Sequence, residues 1–156
     1  MKEILYVKGD VRSPLGNGRR LIIHCCNDIG KMGAGVALAI MKKWPVVKES
    51  YSRWYEKDIK SFKLGNIQAV RVEENIAVVN MIGQHGIYTK GNAPPIRYKA
   101  IEQCLMKVAD LAEKYGASVH CPKFGAGLAR GKWEIIEGLL QEQLCARGIS
   151  VTVYEW

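Results

Sequence analysis

The stretch LIIHCCNDIGKMGAGVALAI, residues 21–40, decides how this chain folds. Residues 21–26 form a nearly continuous apolar run, which is typical of a strand buried on both faces. A glycine-rich segment follows at 27–35, here called the first loop, and apolar residues then recur at helical spacing from Val36 to Trp44. A buried strand followed by a loop and a helix is typical of a sheet covered by helices.

A second stretch repeats this arrangement near the other end of the chain. Residues 118–121 predict a short strand, residues 122–131 form a second glycine-rich segment, here called the second loop, and a helix is predicted from Trp133 to Leu144. Ligands of open α/β sheets bind at the carboxyl ends of the strands. Both loops follow a strand directly, so both are candidates for a binding site.

The remaining segments complete an alternating order of strands and helices. Further strands are predicted at 4–7, 67–72, 76–82 and 149–154, and further helices around 47–55 and 101–115. Pro45 is expected to close the first helix, and Ser150 and Thr152 predict a wetter face on the last strand. The order β-β-α-α-β-β-α-β-α-β predicts an α/β fold with a mixed sheet covered on both sides, in a single domain over residues 1–156.

Size and composition are those of an ordinary soluble domain. The chain has 156 residues, of which 48% are hydrophobic and 24% charged. It shows no signal peptide and no apolar run that would span a bilayer, so we expect a cytoplasmic protein with no membrane partner. The five cysteines are odd in number and form no C-x-x-C pair, which predicts buried thiols rather than disulfides or a zinc site. We expect no required metal and no cofactor.

The net charge of +8 favours an anionic partner. The basic residues are spread along the chain and form no stripe interleaved with aromatic residues, so a nucleic-acid-binding domain is only a minor alternative.

The two loops have the composition of an anion site. Glycines allow backbone N–H groups to approach a ligand closely, and the helix after each loop adds its unpaired N–H groups and the positive end of its dipole. Neither loop matches G-x-x-x-x-G-K-[ST], and Leu38 stands where the dinucleotide fingerprint would place a third glycine. A pyrophosphate gripped by both loops is one interpretation, and plain structural turns are the other.

Two polar residues stand at strand ends. Asp10 follows the first strand, where its carboxylate either accepts hydrogen bonds from an adenine or a ribose or serves as a turn or N-cap residue. Asn27 opens the first loop and either binds ribose hydroxyls or forms an Asx turn. Tyr154 and Trp156 are candidates for stacking on an adenine.

Five motifs along the chain resemble the macro domain family. They are Tyr6-Val7-Lys8-Gly9-Asp10, His24-Cys25-Cys26-Asn27, Lys31-Met32-Gly33-Ala34-Gly35-Val36-Ala37, Pro122-Lys123-Phe124-Gly125-Ala126-Gly127-Leu128 and Val151-Thr152-Val153-Tyr154. The Met-Gly-Ala-Gly form of the first loop and Trp133 behind the second are most similar to the branch with the terminal ADP-ribose protein glycohydrolase and the yeast-type ADP-ribose-phosphate phosphatase.

This resemblance implies a three-layer α/β/α sandwich around a mixed six-stranded sheet. It also implies that ADP-ribose or an ADP-ribosylated protein is the partner, with adenine at Asp10, the diphosphate between the two loops and the distal ribose near Asn27. The residues expected to contact the ligand are Asp10, Val11, Asn27, Lys31, Met32, Gly33, Ala34, Gly35, Val36, Gly125, Ala126, Gly127, Leu128 and Ala129.

Two departures from the family bear on catalysis. The glycohydrolase branch uses a lysine and an aspartate, and the corresponding positions here are Gln84 and Ala129. Glutamine is no nucleophile and alanine accepts no proton, so that mechanism does not carry over.

Three other residues are the catalytic candidates. Asp28 is a carboxylate with no evident structural duty and would orient a water, while Gln84 begins a loop that would close over the ligand. His24 resembles a histidine of the phosphatase-like relative and suits proton transfer, but it also fits a hydrogen-bonded core residue. Two functions stay open: hydrolysis of a phosphate or acyl ester at the distal ribose, and a reader of ADP-ribose without turnover.

Overall fold

A computed structural model of the chain describes residues 2–32, 34–127 and 129–155. The elements follow each other as predicted from the sequence: β1 Leu5–Lys8, β2 Arg20–Asn27, α1 Gly35–Lys43, α2 Pro45–Lys57, β3 Ile67–Glu73, β4 Ile76–Gln84, α3 Tyr98–Tyr115, β5 Ser118–Cys121, α4 Trp133–Gln143 and β6 Val151–Glu155. A 3₁₀ turn, Cys145–Arg147, connects α4 to the last strand.

The strands form one six-stranded sheet in the order β1-β6-β5-β2-β4-β3. All neighbours are parallel except β3, which runs antiparallel to β4. The predicted mixed sheet is confirmed. Strand β2 lies between β4 and β5, so the carboxyl ends of these three strands, and the loops that follow them, meet at one edge.

Each face of the sheet is covered by its own pair of helices. The odd residues Leu21 and Ile23 of β2 belong to a buried cluster that includes residues of α3 and α4. The even residues Ile22 and Cys26 belong to a second cluster with residues of α1 and α2. Alternate side chains of a strand point to opposite faces, so the continuous apolar run in β2 supplies both cores. The result is the expected three-layer α/β/α sandwich.

The predicted wetter face of the last strand is wrong. Thr152 is only 8% exposed, and Ser150 lies before β6 rather than in it. Strand β6 lies inside the sheet, between β1 and β5, and both of its faces are covered. The alternation of Ser and Thr with apolar residues therefore does not indicate a solvent-exposed face of this strand.

The role predicted for Pro45 is only half right. Helix α1 ends at Lys43, but Pro45 also opens α2, with Trp44 as the single residue between the helices. Proline suits this first helical position because its missing N–H would have no partner there.

The cysteines are free, as predicted: four are buried and Cys25 is half-buried. Burial raises the pKa of the Cys25 and Cys104 thiols to about 12, so both are protonated at neutral pH. Within the described ranges, no helix is long and apolar enough to cross a membrane. The same residues contain no cluster of three His, Cys, Asp or Glu side chains suited to a metal ion.

Candidate functional site

A cavity of about 580 Å³ lies at the edge of the sheet where β2, β4 and β5 end. Small-molecule sites commonly fall between about 300 and 1,000 Å³. The walls come from the first loop and the start of α1, from the second loop, from Gln84 at the end of β4, and from Ile87 and Tyr88 after it. The two glycine loops therefore face each other across one space.

Most of the residues that the sequence singled out line this cavity. They are His24, Asn27, Lys31, Met32, Ala34, Gly35, Val36, Gln84, Gly125, Gly127 and Ala129. Four others that the structure describes lie outside its lining: Asp10, Val11, Asp28 and Ala126. Gly33 and Leu128 fall outside the described residues.

The start of helix α1 opens into the cavity. Gly35, Val36 and Ala37 line it, and the N-cap residue Ala34 makes no side-chain hydrogen bond to the helix. The first turn also contains no acidic residue. The first N–H groups of a helix have no partner within it, so this terminus presents donors and a partial positive charge to the cavity.

Asn27 folds the first loop through its side chain. Its Oδ1 accepts hydrogen bonds from the backbone N–H groups of Ile29 and Lys31, both at 3.1 Å, and its Nδ2 donates to the carbonyl of Lys31 at 2.5 Å. The Tyr51 hydroxyl lies 2.9 Å from the same Oδ1 and 2.6 Å from the Asn27 carbonyl oxygen. The Asx-turn interpretation is therefore confirmed. The contact of Asn27 with a ribose stays a prediction.

Gly30 allows α2 to pack closely against the first loop. Its φ is +73°, in the left-handed region, and a Cβ at this position would lie 2.7 Å from the ring of Tyr55. Any larger residue would push the loop away from α2.

Asp28 has a structural duty, contrary to the prediction. Its Oδ2 lies 2.7 Å from Nδ1 of His85, and its Oδ1 accepts a hydrogen bond of 2.8 Å from the N–H of Gly86. Residues 85–97 form the β4–α3 loop, so Asp28 connects the first loop to it. The carboxylate points to this connection and does not line the cavity.

His24 is a hydrogen-bonded core histidine at the base of the cavity. It is 2% exposed, and its Nε2 lies 2.6 Å from Oδ1 of Asn80. The Asn80 amide donates to Gln68, so its oxygen is the acceptor and Nε2 of His24 carries the proton. Burial lowers the pKa of His24 to about 4, against a weaker opposing effect of the Asn80 hydrogen bond. The imidazole is therefore neutral at physiological pH and a weak base.

Backbone contacts and apolar packing shape the second loop. The N–H of Gly131 donates to the carbonyl of Gly125 at 2.7 Å, and Gly125 has a φ of +76°. A Cβ on Gly125 would lie 2.8 Å from Ile96 and 2.9 Å from Ile136. No described residue accepts a hydrogen bond from the backbone N–H groups of residues 125–127, and Gly125 and Gly127 line the cavity.

The two positions of the absent lysine–aspartate pair have structural partners. Gln84 donates from Nε2 to the carbonyl of Gly86 at 2.9 Å, and the Ala129 carbonyl accepts from the N–H of Ile96 at 3.1 Å. Both residues line the cavity, but neither supplies the chemistry of the residue that it replaces.

Sequence reasoning expected the loop that begins at Gln84 to close over the ligand, but it missed the two residues of this loop, Ile87 and Tyr88, that form the wall. Ile87 and Tyr88 line the cavity and are 51% and 40% exposed, and Arg130 of the second loop places its guanidinium 4.7 Å from the centre of the Tyr88 ring. The signal was present in the sequence, since these are two large hydrophobic residues within a polar loop rich in glycine and proline.

Asp10 lies beyond the cavity, at the end of β1. Arg12 donates to both carboxylate oxygens at distances from 2.7 to 3.1 Å and thereby holds the pKa of Asp10 below its usual range. Tyr154 is 3% exposed, and its hydroxyl bonds to His120 at 2.7 Å and to the N–H of Leu15 at 2.8 Å. This burial leaves little of the Tyr154 ring for stacking. Trp156 lies outside the described residues.

The chain is similar to known proteins over almost its full length. A solved structure from Bacteroides thetaiotaomicron has a TM-score of 0.95 and 50% sequence identity and covers 99% of this chain and 98% of its own. The human ADP-ribose glycohydrolase OARD1 is 30% identical over 97% of this chain and 90% of its own length. The ADP-ribose 1''-phosphate phosphatase of Candida albicans is 28% identical over 89% of this chain and 92% of its own length.

The family model of the macro domain matches residues 23–139. This range contains both glycine loops, the β4–α3 loop and all of the described residues that line the cavity. The chain therefore belongs to the macro domain family.

Proposed function

We propose that this protein binds ADP-ribose, free or attached to a protein, in the cavity between the two glycine loops. The observation that carries the proposal is the uncapped N-terminus of α1, which opens into the cavity that the second loop also lines. A diphosphate between them would accept hydrogen bonds from both sides and lie at the positive end of the helix dipole.

The orientation of the ligand rests on the resemblance to macro domains, which implies adenine at Asp10. Asp10 follows β1, and two strands, β6 and β5, separate β1 from β2. Gln84 ends β4, on the other side of β2. The adenosine would therefore point towards Asp10, and the distal ribose towards Asn27, Gln84 and the β4–α3 loop. Relatives named as an ADP-ribose glycohydrolase and an ADP-ribose 1''-phosphate phosphatase support this class of ligand.

Calorimetry with ADP-ribose, AMP, ADP and NAD tests the proposal. We expect ADP-ribose to bind much more tightly than the other three, because it alone combines the diphosphate with an unsubstituted distal ribose. Equal affinities for all four nucleotides, or no binding of ADP-ribose, would contradict it.

A matched pair of helix-cap variants tests the role of α1. Ala34→Asp places a carboxylate at the N-cap, where it would bond to the free N–H groups and repel a diphosphate. We expect a higher melting temperature together with a marked loss of ADP-ribose affinity. Lys132→Asp is the control, since Lys132 is the N-cap of α4, also lacks a side-chain cap bond and does not line the cavity. If both variants bound ADP-ribose equally well, the diphosphate would not lie at α1.

Hydrolysis of an ester at the distal ribose is the second candidate function. The observation that favours it is the pair Asp28–His85, in which the carboxylate accepts a hydrogen bond from Nδ1 and thereby leaves Nε2 of the imidazole as a base. Neither side chain lines the cavity, so the β4–α3 loop has to move to bring Nε2 to the ester. In this scheme Nε2 takes a proton from a water whose oxygen bonds to the phosphorus or acyl carbon of the ester. The bond between that atom and the ribose oxygen breaks, and Nε2 returns its proton to the ribose oxygen.

Release of phosphate from ADP-ribose with a terminal phosphate tests this second function. We expect the wild type to release phosphate, and Asp28→Ala and His85→Ala to bind the ligand but to release little. No release by the wild type above background would leave the protein as a reader of ADP-ribose.

A further inference from the structure

Arg130 has an unusual backbone conformation for its residue type. Its φ is +64°, and it is the one non-glycine residue with a positive φ among residues 2–32, 34–127 and 129–155. Glycine adopts this conformation without strain, whereas a residue with a Cβ does so at an energetic cost. Strained positions are common at functional sites, where the side chain has a use that offsets the cost.

The surrounding backbone holds Arg130 in this conformation. Its N–H donates to the carbonyl of Gly127 at 3.0 Å, and the next residue, Gly131, donates to Gly125 at 2.7 Å. The preceding residue, Ala129, accepts from the N–H of Ile96 at 3.1 Å. The side chain is thereby directed over the Tyr88 ring, with the guanidinium 4.7 Å from its centre. This distance is within the range of a cation–π interaction.

The contact joins the second loop to the middle of the β4–α3 loop. The start of the β4–α3 loop is bound to the first loop through Asp28 and His85, and its end is bound to the second loop through Ile96 and Ala129. Ile87 and Tyr88, in the exposed middle of this loop, line the cavity. The contact with Arg130 connects this part of the loop to the second loop.

We propose that the Arg130–Tyr88 pair closes the distal end of the cavity and selects against ligands with a bulky group on the distal ribose. This inference rests on the proposed binding of ADP-ribose, with the adenosine towards Asp10. A ligand that ends in a free distal ribose fits behind the closed loop, whereas a nicotinamide on that ribose has to displace Tyr88.

The ratio of the affinities for ADP-ribose and NAD measures this selection, because the two ligands differ by the group on the distal ribose. Arg130→Gly removes the guanidinium and relieves the positive φ, so the variant should fold with an unchanged or higher melting temperature. We expect NAD to bind about two- to fivefold better relative to ADP-ribose, which is the size of an exposed cation–π contact.

Two variants of Tyr88 sharpen the test. Tyr88→Ala should change the ratio in the same direction and at least as much as Arg130→Gly, because it removes the ring that the nicotinamide has to displace. Adding Arg130→Gly to Tyr88→Ala should cause no further change, since the contact is already broken. Tyr88→Phe keeps the ring and should keep the ratio of the wild type. An unchanged ratio in both Arg130→Gly and Tyr88→Ala would overturn the proposal.

A second cation–π pair provides a matched control away from the cavity. Arg19 lies 5.7 Å from the centre of the Tyr115 ring, and neither residue lines the cavity. Arg19→Gly and Tyr115→Ala should leave the ratio unchanged, and a change of equal size in these variants would also overturn the proposal. If the wild type failed to bind ADP-ribose, the proposed function itself would be wrong, which is a separate outcome.

Discussion

The first and second loops share one sequence pattern but are held in different ways. Side chains organise the first loop: Asn27 bonds within it, Asp28 connects it to His85, and Tyr51 joins it to α2. Backbone hydrogen bonds and close packing around glycines organise the second loop. Gly131 bonds to Gly125, and neither position has room for a Cβ.

This difference shows that the pattern of a strand, a glycine loop and a helix does not specify how the loop is held. Polar side chains can fix a loop by accepting from its backbone donors, as Asn27 does in the first loop. Close packing that only glycine permits can also fix a loop, as in the second. The first loop should therefore be sensitive to removal of a polar group, and the second to addition of a methyl group.

Acid pH should lower the free energy of unfolding through the buried histidines on the strands that precede the two loops. This is the largest effect that we expect. His24 on β2 and His120 on β5 are each buried before a loop, and burial lowers the pKa of both to about 4, from 6.5 for the free side chain. As the pH falls from 6.5 towards 4, the unfolded chain binds protons that the folded protein excludes, so stability present above pH 6.5 is lost.

Urea unfolding at pH 7 and pH 5 measures this loss. We expect about 2 kcal/mol for each histidine, or about 4 kcal/mol together. His24→Gln and His120→Gln should each remove about half of the pH-dependent loss. A free energy of unfolding that is equal at pH 5 and pH 7 would contradict the neutral, buried state of both side chains.

Asn27→Ala should break the first loop while sparing the second. The substitution leaves the N–H groups of Ile29 and Lys31 without their acceptor and removes the amide that donates to the Lys31 carbonyl, while the Tyr51 hydroxyl keeps only the carbonyl oxygen of residue 27. We expect about 3 kcal/mol of lost stability together with a loss of ADP-ribose binding.

Tyr51→Phe is the milder control, since it removes one hydroxyl and should cost about 1 kcal/mol. Chemical denaturation compares the two variants. Equal losses would mean that the Asx turn itself adds little to the loop.

Gly131→Ala should distort the second loop. A Cβ at this position would lie 2.5 Å from the Gly125 carbonyl oxygen, which is backbone and cannot rotate away. We expect about 2 kcal/mol of lost stability from this overpacking, with weaker ligand binding.

Gly127→Ala is the matched control in the same loop, because nothing lies within 4 Å of its added Cβ. It should melt close to the wild type. A melting temperature of Gly131→Ala as high as that of Gly127→Ala would show that the loop adapts without cost.

Asp28→Asn should have the smallest effect on stability. His85 is 64% exposed in its side chain, and a hydrogen bond to such an exposed group contributes about 1 kcal/mol or less. We expect a change within about 1 kcal/mol, with faster hydrogen exchange at Gly86, whose N–H bonds to Asp28. Unchanged exchange at Gly86 would mean that the β4–α3 loop does not depend on the carboxylate.

The sequence by itself determined the order of the elements and the place of the site. The apolar run of β2 and the helical spacing after each loop are local patterns that report burial, and most of the residues predicted to contact the ligand line one cavity. The glycines at 30 and 125 could be assigned to loops because their conformation is a local property of the backbone.

Only the tertiary structure decided which polar groups are available to a ligand. Asp28 was expected to have no structural partner, but its partner, His85, is 57 residues away in the chain and is brought close by the pairing of β2 with β4. The same is true of Arg130 and Tyr88, which meet only because the β4–α3 loop lies against the second loop. Such contacts depend on which strands become neighbours in the sheet, and no local pattern of residues records this.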